Sequence, residues 1–492
     1  MNFAALTALS PSVESAVRIA YAGLLILQLI ASAPNIVRFF CSERYGGYVE
    51  STPWRDRLHR PAVIFPLFAL WVICACAILF DVALLPAAAV NFAFARYFYV
   101  HMRWKSIARG MGAPGHMNHW LAALILFLAT TETFDSSGLL RAVTVLTFRV
   151  DFAAIMIAAG VYKIAAGYAR GDGFERGLVN PWWGFHATWL RRIPAHSPMF
   201  SALNHAGYIA EILCGACFLI PAAAPYAALL LGASFLFIGL LIRLTWLAEM
   251  VAVCCVLMIP PGNAVNALFE RLIRPEVIAP HSIALVGPLI TYALTALLGL
   301  YLVMLPVAYA GMIWNLYFKR RLPDAAQRAL DVWTGFFGLI LWRVFTADVI
   351  NFFASIEVRE PGKPHGDPYL SAWAPRRHVR YRHVGEFICL TSLFTTMKYY
   401  PDDPGIFRER IVRYARTIPK AEGSTIAFVY TQIRKGPQSF EYRDVAEFVV
   451  DTETQTVTER LLDPSFDPRA TAHRSPVVRG SRPGSYSPLA SA

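Results

Sequence analysis

Long apolar runs constrain this chain more than any other feature. They occur near residues 16–34, 62–80, 82–100, 119–131, 143–167, 200–221, 226–246, 247–260, 283–313 and 330–354. Most are close to the ~20 residues that carry an α-helix across a bilayer, where every backbone N–H and C=O must be satisfied within the segment. Hydrophobic residues make up 56% of the 492 and charged residues only 16%, against nearer half and a quarter in soluble domains. The expectation is a polytopic α-helical membrane protein of about nine or ten segments, multi-pass in the inner membrane of a bacterium. Region 226–260 is read either as two tightly joined crossings or as one crossing with a re-entrant piece. The N-terminus has no basic stretch ahead of a short apolar core, so it reads as a first membrane helix and not as a cleaved signal.

A net charge of +12 does not point to nucleic acid, because the cations lie between apolar runs and form no basic stripe. They collect at 44–60 (Arg44, Arg55, Arg57, Arg60), 103–109 (Arg103, Lys105, Arg109), 170–192 (Arg170, Arg176, Arg191, Arg192) and 319–328 (Lys319, Arg320, Arg321, Arg328). Alternation puts these loops on one side, which the positive-inside rule makes cytoplasmic. Ten crossings ending at 354 would then carry the C-terminal part to the other side. Six of eight cysteines sit in apolar runs as small hydrophobes, and the Cys214–Cys217 spacing lacks the second pair a zinc site needs. No metal is expected.

After about Ser355 the pattern changes. The membrane part is read as 1–354, a soluble α+β domain as 355–462, and 463–492, rich in Pro, Ser and Arg, as a disordered tail. "FICLTSLFTTMKYY" and "STIAFVYTQIRKG" have the β-branched and aromatic content of strands. Two further strands flank a turn near Asp451. Between them "PGIFRERIVRYARTIP" sets Phe407, Ile411 and Tyr414 on one helical face, with prolines at each end.

Ionisable residues inside the runs need a partner or a wet cavity, which makes Arg149, Asp151, Lys163, Glu211, Arg243, Glu249, Arg343 and Asp348 functional candidates. Arg149 with Asp151, and Arg343 with Asp348, read as charges that neutralise one another or other helices and hold a bundle together; Glu211 and Glu249 are isolated on their helices, each capping a pore-like cavity or pairing with Arg243. Lys163, in "AAIMIAAGVYKIAAGYARGDGFERGL", either snorkels towards the interface marked by Tyr168 and Arg170 or, desolvated, becomes a neutral base. Spacing leaves that choice open. His119, at a helix entrance beside Asn118, is equally open between an interfacial side chain and a proton donor.

Four stretches resemble the HTTM family, which includes the vitamin K-dependent gamma-carboxylase: "SVESAVRIAYAGLLILQ", "MNHWLAALILF", "IAAGVYKIAAGY" with its following "GDGFERGL", and "HAGYIAEILCGACFLIP". The soluble part shows a similar order of motifs, so the resemblance is thin per residue but covers most of the chain. It implies Lys163 as the base that deprotonates a reduced naphthoquinone, His119 with Asn118 as proton donor or quinone-ring contact, and Glu211 as a support residue. A peptide glutamate would be the carboxylated partner, and membrane lipid the surroundings. This chain departs from the carboxylase in having no histidine between His205 and His281, which leaves oxygenation alone, or another quinone reaction. The alternative from a different class is a non-catalytic membrane scaffold or maturation factor that displays the C-terminal domain.

Overall fold

The structure is a computed structural model and describes residues 3–171, 173–273, 287–317, 320–342, 347–361, 363, 366–371, 373, 385–400 and 403–464. It is mostly helical, with an antiparallel sheet at the C-terminal end. Five helical stretches are long and apolar enough to cross a membrane: Ala4–Phe40, Pro61–Leu79, Leu139–Ala165, Ala224–Leu241 and Gly287–Asn315. Side chains such as Ile73, Leu240 and Val303, each more than 60% exposed, form an apolar outer surface on these helices.

The sequence expectation of nine or ten crossings thus gives way to five on length and composition among the described residues. Two more helices, Gly112–Phe134 and Pro198–Cys217, are as long. They carry His116, Asn118 and His119, or Asn204, His205 and Glu211, which lower their apolar content. Gly112–Phe134 tolerates those groups because it is central, with most of its residues buried by neighbours. Region 226–260 is a hairpin, Ala224–Leu241 and Thr245–Leu257, whose second arm at 13 residues is short for a crossing. Local signals start several helices. Ser10 accepts a hydrogen bond from Val13 N with Pro11 at the first helical position, and Ser197 does the same for the helix opened by Pro198.

Among the described residues, region 330–354 holds no helix long enough to cross. Asp324–Phe337 is an amphipathic helix that folds back along Gly287–Tyr317, with Leu330 filling the space beside Gly311 and Phe337 against the Tyr301 ring at 4.7 Å. It stops at Gly338, whose φ of +75° a side-chain-bearing residue adopts only with strain. The chain then returns, Trp342 donating to His116 Nδ1, and enters strand β1 at Phe352. Arg343 and the Asp348 side chain lie outside the described residues, so their expected pairing does too, as does the expected tail beyond 464.

This return has a topological consequence. The C-terminal domain docks on the end of the bundle that carries the basic loops, where the sequence reading had put it on the opposite side. Asn180 Nδ2 donates to the carbonyls of Ile350 and Phe352, both at 2.8 Å. Tyr442 donates to Val179 O, and Ala195 N to Gln438 O. Reading 330–354 as a single span is what put the domain on the opposite side.

The domain is a five-stranded antiparallel sheet in the order β2-β1-β3-β4-β5, with β1 at Phe352–Arg359, β2 at Asp367–Leu370, β3 at Thr425–Lys435, β4 at Phe440–Asp451 and β5 at Thr456–Leu461. Helices Gly385–Tyr399 and Pro404–Arg416 cover one face, and Phe394 and Phe407 pack on Phe428, Tyr430 and Phe448. The hairpin about Asp451 and the helix bearing Phe407, Ile411 and Tyr414 are as the sequence suggests. "FICLTSLFTTMKYY" is the exception, a helix where strand was expected. Its threonines are accommodated by bonding backwards, Thr395 Oγ1 to Thr391 O and Thr396 Oγ1 to Ser392 O. Burial on both sides outweighs the local β preference.

One buried carboxylate ties domain to bundle. Glu386, 2% exposed, accepts from Arg38 at 2.9 Å, from Tyr48 at 3.1 Å and from Tyr414. The Tyr48 and Tyr414 rings stack at 5.6 Å. Burial first, then the carboxylate beside them, pushes both phenols well above their ordinary range, so they remain donors throughout the physiological range. Glu386→Ala leaves Arg38 without its anion, and breaking a buried pair from one side costs on the order of 3–5 kcal/mol. Denaturant unfolding of the lipid-embedded protein is expected to show that loss, with faster proteolysis between residues 360 and 400; unchanged stability would remove Glu386 from this role.

Candidate functional site

Lys163 sits in the last turn of the Leu139–Ala165 helix and is 7% exposed. Its Nζ donates to Glu211 Oε1 on the neighbouring Pro198–Cys217 helix, and Glu211 is 3% exposed. These helices meet closely because Gly160 and Gly215 face them: a Cβ on Gly160 would lie 2.6 Å from Ile212, and one on Gly215 2.8 Å from Ile157. The small residues bring the two charges within reach of each other. The ammonium is turned inward and does not snorkel.

Tyr168 closes the pair from above, its ring centroid 5.9 Å from Lys163 Nζ. Gly173 lies flat against that ring, where any Cβ would approach to 2.6 Å. The Tyr168 phenol has Glu211 and Glu175 as its nearest acidic neighbours; burial, then these carboxylates, raise it well above its ordinary value. Glu175 is fully buried and accepts from Gly173 N, Asn204 Nδ2 and, at 3.3 Å, Lys435 Nζ on β3. Lys435 also donates to Gly171 O at 2.7 Å. Through Gly173 and Glu175 the "GDGFERGL" loop thus links the interhelical pair to the C-terminal domain. Glu211 Oε2 is buried and has no hydrogen-bond partner among the described residues, a free acceptor aimed into the bundle.

His119 and Asn118 lie elsewhere. Asn118 Oδ1 accepts from Tyr21 OH at 2.8 Å, Asn91 Nδ2 donates to the same phenol, and Trp71 donates to Asn91. His119 rests on Phe92 at 5.4 Å and against the backbone turn at Gly338, its Nε2 buried and without a partner among the described residues. The next residue, Trp120, donates to Asp151 Oδ2 on the Lys163 helix. From Asp151 to Lys163 is twelve residues of continuous helix, about 18 Å at 1.5 Å per residue. The structure does not bring Lys163 and His119 together.

Arg149 and Asp151 do not neutralise each other. Arg149 donates to four carbonyls, Ala5, Leu6, Leu257 and Ile259, and so caps the ends of two helices at their negative poles. Asp151 instead takes the Trp120 N–H and the Tyr301 O–H, both at 2.9 Å. Arg243 turns to the carbonyls of Pro181 and Trp182, leaving Glu211 to Lys163. Cys214 and Cys217 are free thiols, and no metal-competent cluster occurs among the described residues. A small apolar crevice lies among Phe39, Phe98, Tyr99, Met102 and Met111, away from Lys163.

Sequence reasoning found Lys163 and Glu211 without pairing them, and missed Glu175, Lys435 and Glu386. Glu175 was visible inside the quoted loop; Glu386 carried no local signal at all.

Fold and site together define a helical bundle with five helices long enough to span a membrane, an internal lysine–glutamate pair, and an α+β domain fastened over it. No family model, curated protein or solved structure matches the chain.

Replacing Lys163 by Met leaves Glu211 buried and unmatched, at a cost on the order of 3–5 kcal/mol. The double change Lys163→Met with Glu211→Met is expected to recover most of that loss in thermal unfolding in lipid. A single variant as stable as wild type would contradict the pairing.

Proposed function

We propose that the chain is an integral multi-pass membrane protein in which Lys163 and Glu211 form a proton-accepting site for a reduced naphthoquinone, in keeping with the resemblance to the HTTM family. The observation that carries the reading is the inward Lys163 ammonium on Glu211, with Glu211 Oε2 free beside it. For the pair to accept a proton, the one between Nζ and Oε1 must pass to Glu211, a path that their direct hydrogen bond provides. The unpartnered Oε2 fits a hydroxyl donor. A quinol, when bound, supplies an acidic phenolic proton for the reaction with oxygen. Lys163 accepts that proton at Nζ, Glu211 holds the resulting ammonium in place, and Tyr168 covers the pair. The exposed apolar belt is where such a lipophilic molecule would arrive.

A second reading, the non-catalytic scaffold, draws support from the distance between Lys163 and His119 and from the extensive seam that fastens the domain. The two separate cleanly in one assay. Purified protein in lipid is given oxygen and reduced naphthoquinones, and epoxide is followed by chromatography. The enzyme reading expects epoxide that falls at least a hundredfold in Lys163→Ala, about the lower bound for loss of a general base, and less in Glu211→Gln. Absence of epoxide from a folded wild-type protein across the quinols tested would favour the scaffold.

A further inference from the structure

The Lys163–Glu211 pair is buried, so whatever reaches it must first displace part of the protein. The seam between the two helices is shut at Gly160 and Gly215, where an added Cβ would lie 2.6 Å from Ile212 and 2.8 Å from Ile157. Towards the helix end the cover is a single turn, Tyr168–Arg170. Tyr168 is its inward side chain, 1% exposed, whereas Ala169 and Arg170 face outwards.

This turn has the form of a hinged flap. Gly167 with φ +108° and Gly171 with φ +75° bound it, both in the left-handed region that glycine enters without steric cost. Its backbone bonds are internal: Arg170 N donates to Gly167 O at 2.8 Å, and Gly171 N to Tyr168 O at 3.0 Å. Rotation at the two glycines therefore carries the turn as a unit and keeps both bonds.

The fastening comes from the C-terminal domain. Lys435 Nζ, on β3, donates to Gly171 O at 2.7 Å, which places a clasp on the hinge itself. The same ammonium lies 3.3 Å from Glu175 Oε1. The other oxygen of Glu175 accepts from Gly173 N and Asn204 Nδ2, and Gly173 rests against the Tyr168 ring. Lys435 thus holds the flap twice, through the Gly171 carbonyl and through the carboxylate that sets Gly173 under Tyr168. Its own position is fixed by bonds on the neighbouring hairpin, Ala195 N to Gln438 O and Tyr442 OH to Val179 O. Hydrogen bonds from an ammonium are stronger than neutral ones, so losing this residue shifts the balance towards the open turn.

We propose that Lys435 is a positioning residue of the Lys163 site. It clasps the Gly167–Gly171 turn so that Tyr168 stays over Lys163, and a ligand enters when the turn swings out on its two glycines. The inference rests on the reading of Lys163 and Glu211 as a ligand site, and it makes the C-terminal domain the part that sets how often that site is open.

The test is amine-reactive labelling of the full-length protein in lipid, without quinol, read lysine by lysine by mass spectrometry. Lys363, on the surface, reports the reagent; Lys398, 4% exposed inside the C-terminal domain, reports undocking or unfolding of that domain. Lys435→Met is expected to raise Lys163 labelling about tenfold, the scale on which loss of a charge-assisted hydrogen bond moves a local opening equilibrium. Lys363 and Lys398 are expected to keep their wild-type rates, and Lys435→Arg to restore protection of Lys163. Glu175→Gln keeps the shape and weakens the ion pair, so it is expected to give a smaller rise in the same direction and decides the matter should Lys435→Met fail to fold. Lys163 labelling unchanged in every folded variant would overturn the clasp. Lys398 labelled in step with Lys163 would also overturn it, because the whole domain would then have come away. Epoxide formation does not enter this readout, so a rise in labelling without epoxide would remove the quinol and leave the clasp standing.

Discussion

A charge withdrawn into a helical bundle must find its counterpart inside the bundle, and most of this structure follows from that constraint. Lys163 and Glu211 meet because Gly160 and Gly215 let their helices approach. Arg149 has no carboxylate partner among the described residues, so it spends its donors on the carbonyls that two helices leave unsatisfied at their C-terminal ends. Asp151 has no cationic partner among the described residues, so it collects an indole and a phenol. Each solution fixes helices that are far apart in sequence, which is how a set of largely featureless apolar segments acquires one arrangement.

The same rule governs the seam with the C-terminal domain. Glu386 gathers Arg38, Tyr48 and Tyr414; Glu43 meets Arg413; Glu175 meets Lys435. These contacts are shared between bundle and domain, and Glu175 belongs to the loop that covers Lys163. A change in the Lys163 pair therefore has a short physical route, through Tyr168 and the 167–180 loop, to β3. The domain is a fixed part of the site's roof and not a tethered appendage.

Much of the fold was legible in the chain because apolar length and strand alternation are local signals. The Asp451 hairpin and the Phe407–Ile411–Tyr414 face needed nothing more. What local pattern could not show was how neighbours override it. Gly385–Tyr399 is rich in residues that favour strands, but burial and back-bonded threonines make it a helix. Residues 330–354 have apolar content without the length of uninterrupted helix, and Gly338 breaks them in two. That one break moved the C-terminal domain to the other end of the bundle. At the site, residue type pointed to Lys163 and Glu211, while spacing along the chain gave no sign that they face each other across two helices. Spacing equally gave no sign that His119 lies a dozen helical residues below. The carbonyl partners of Arg149 and Arg243 are invisible in any sequence, since every residue has one.

The central claim is that Lys163 is turned inward onto Glu211 instead of reaching for headgroups. Amine-reactive footprinting of the folded protein in lipid, read by mass spectrometry, tests it directly. Lys163 is expected to stay unmodified under conditions that label Lys363, whose side chain is 52% exposed, and to become reactive only on unfolding. Modification of Lys163 at the rate of Lys363 would contradict the account.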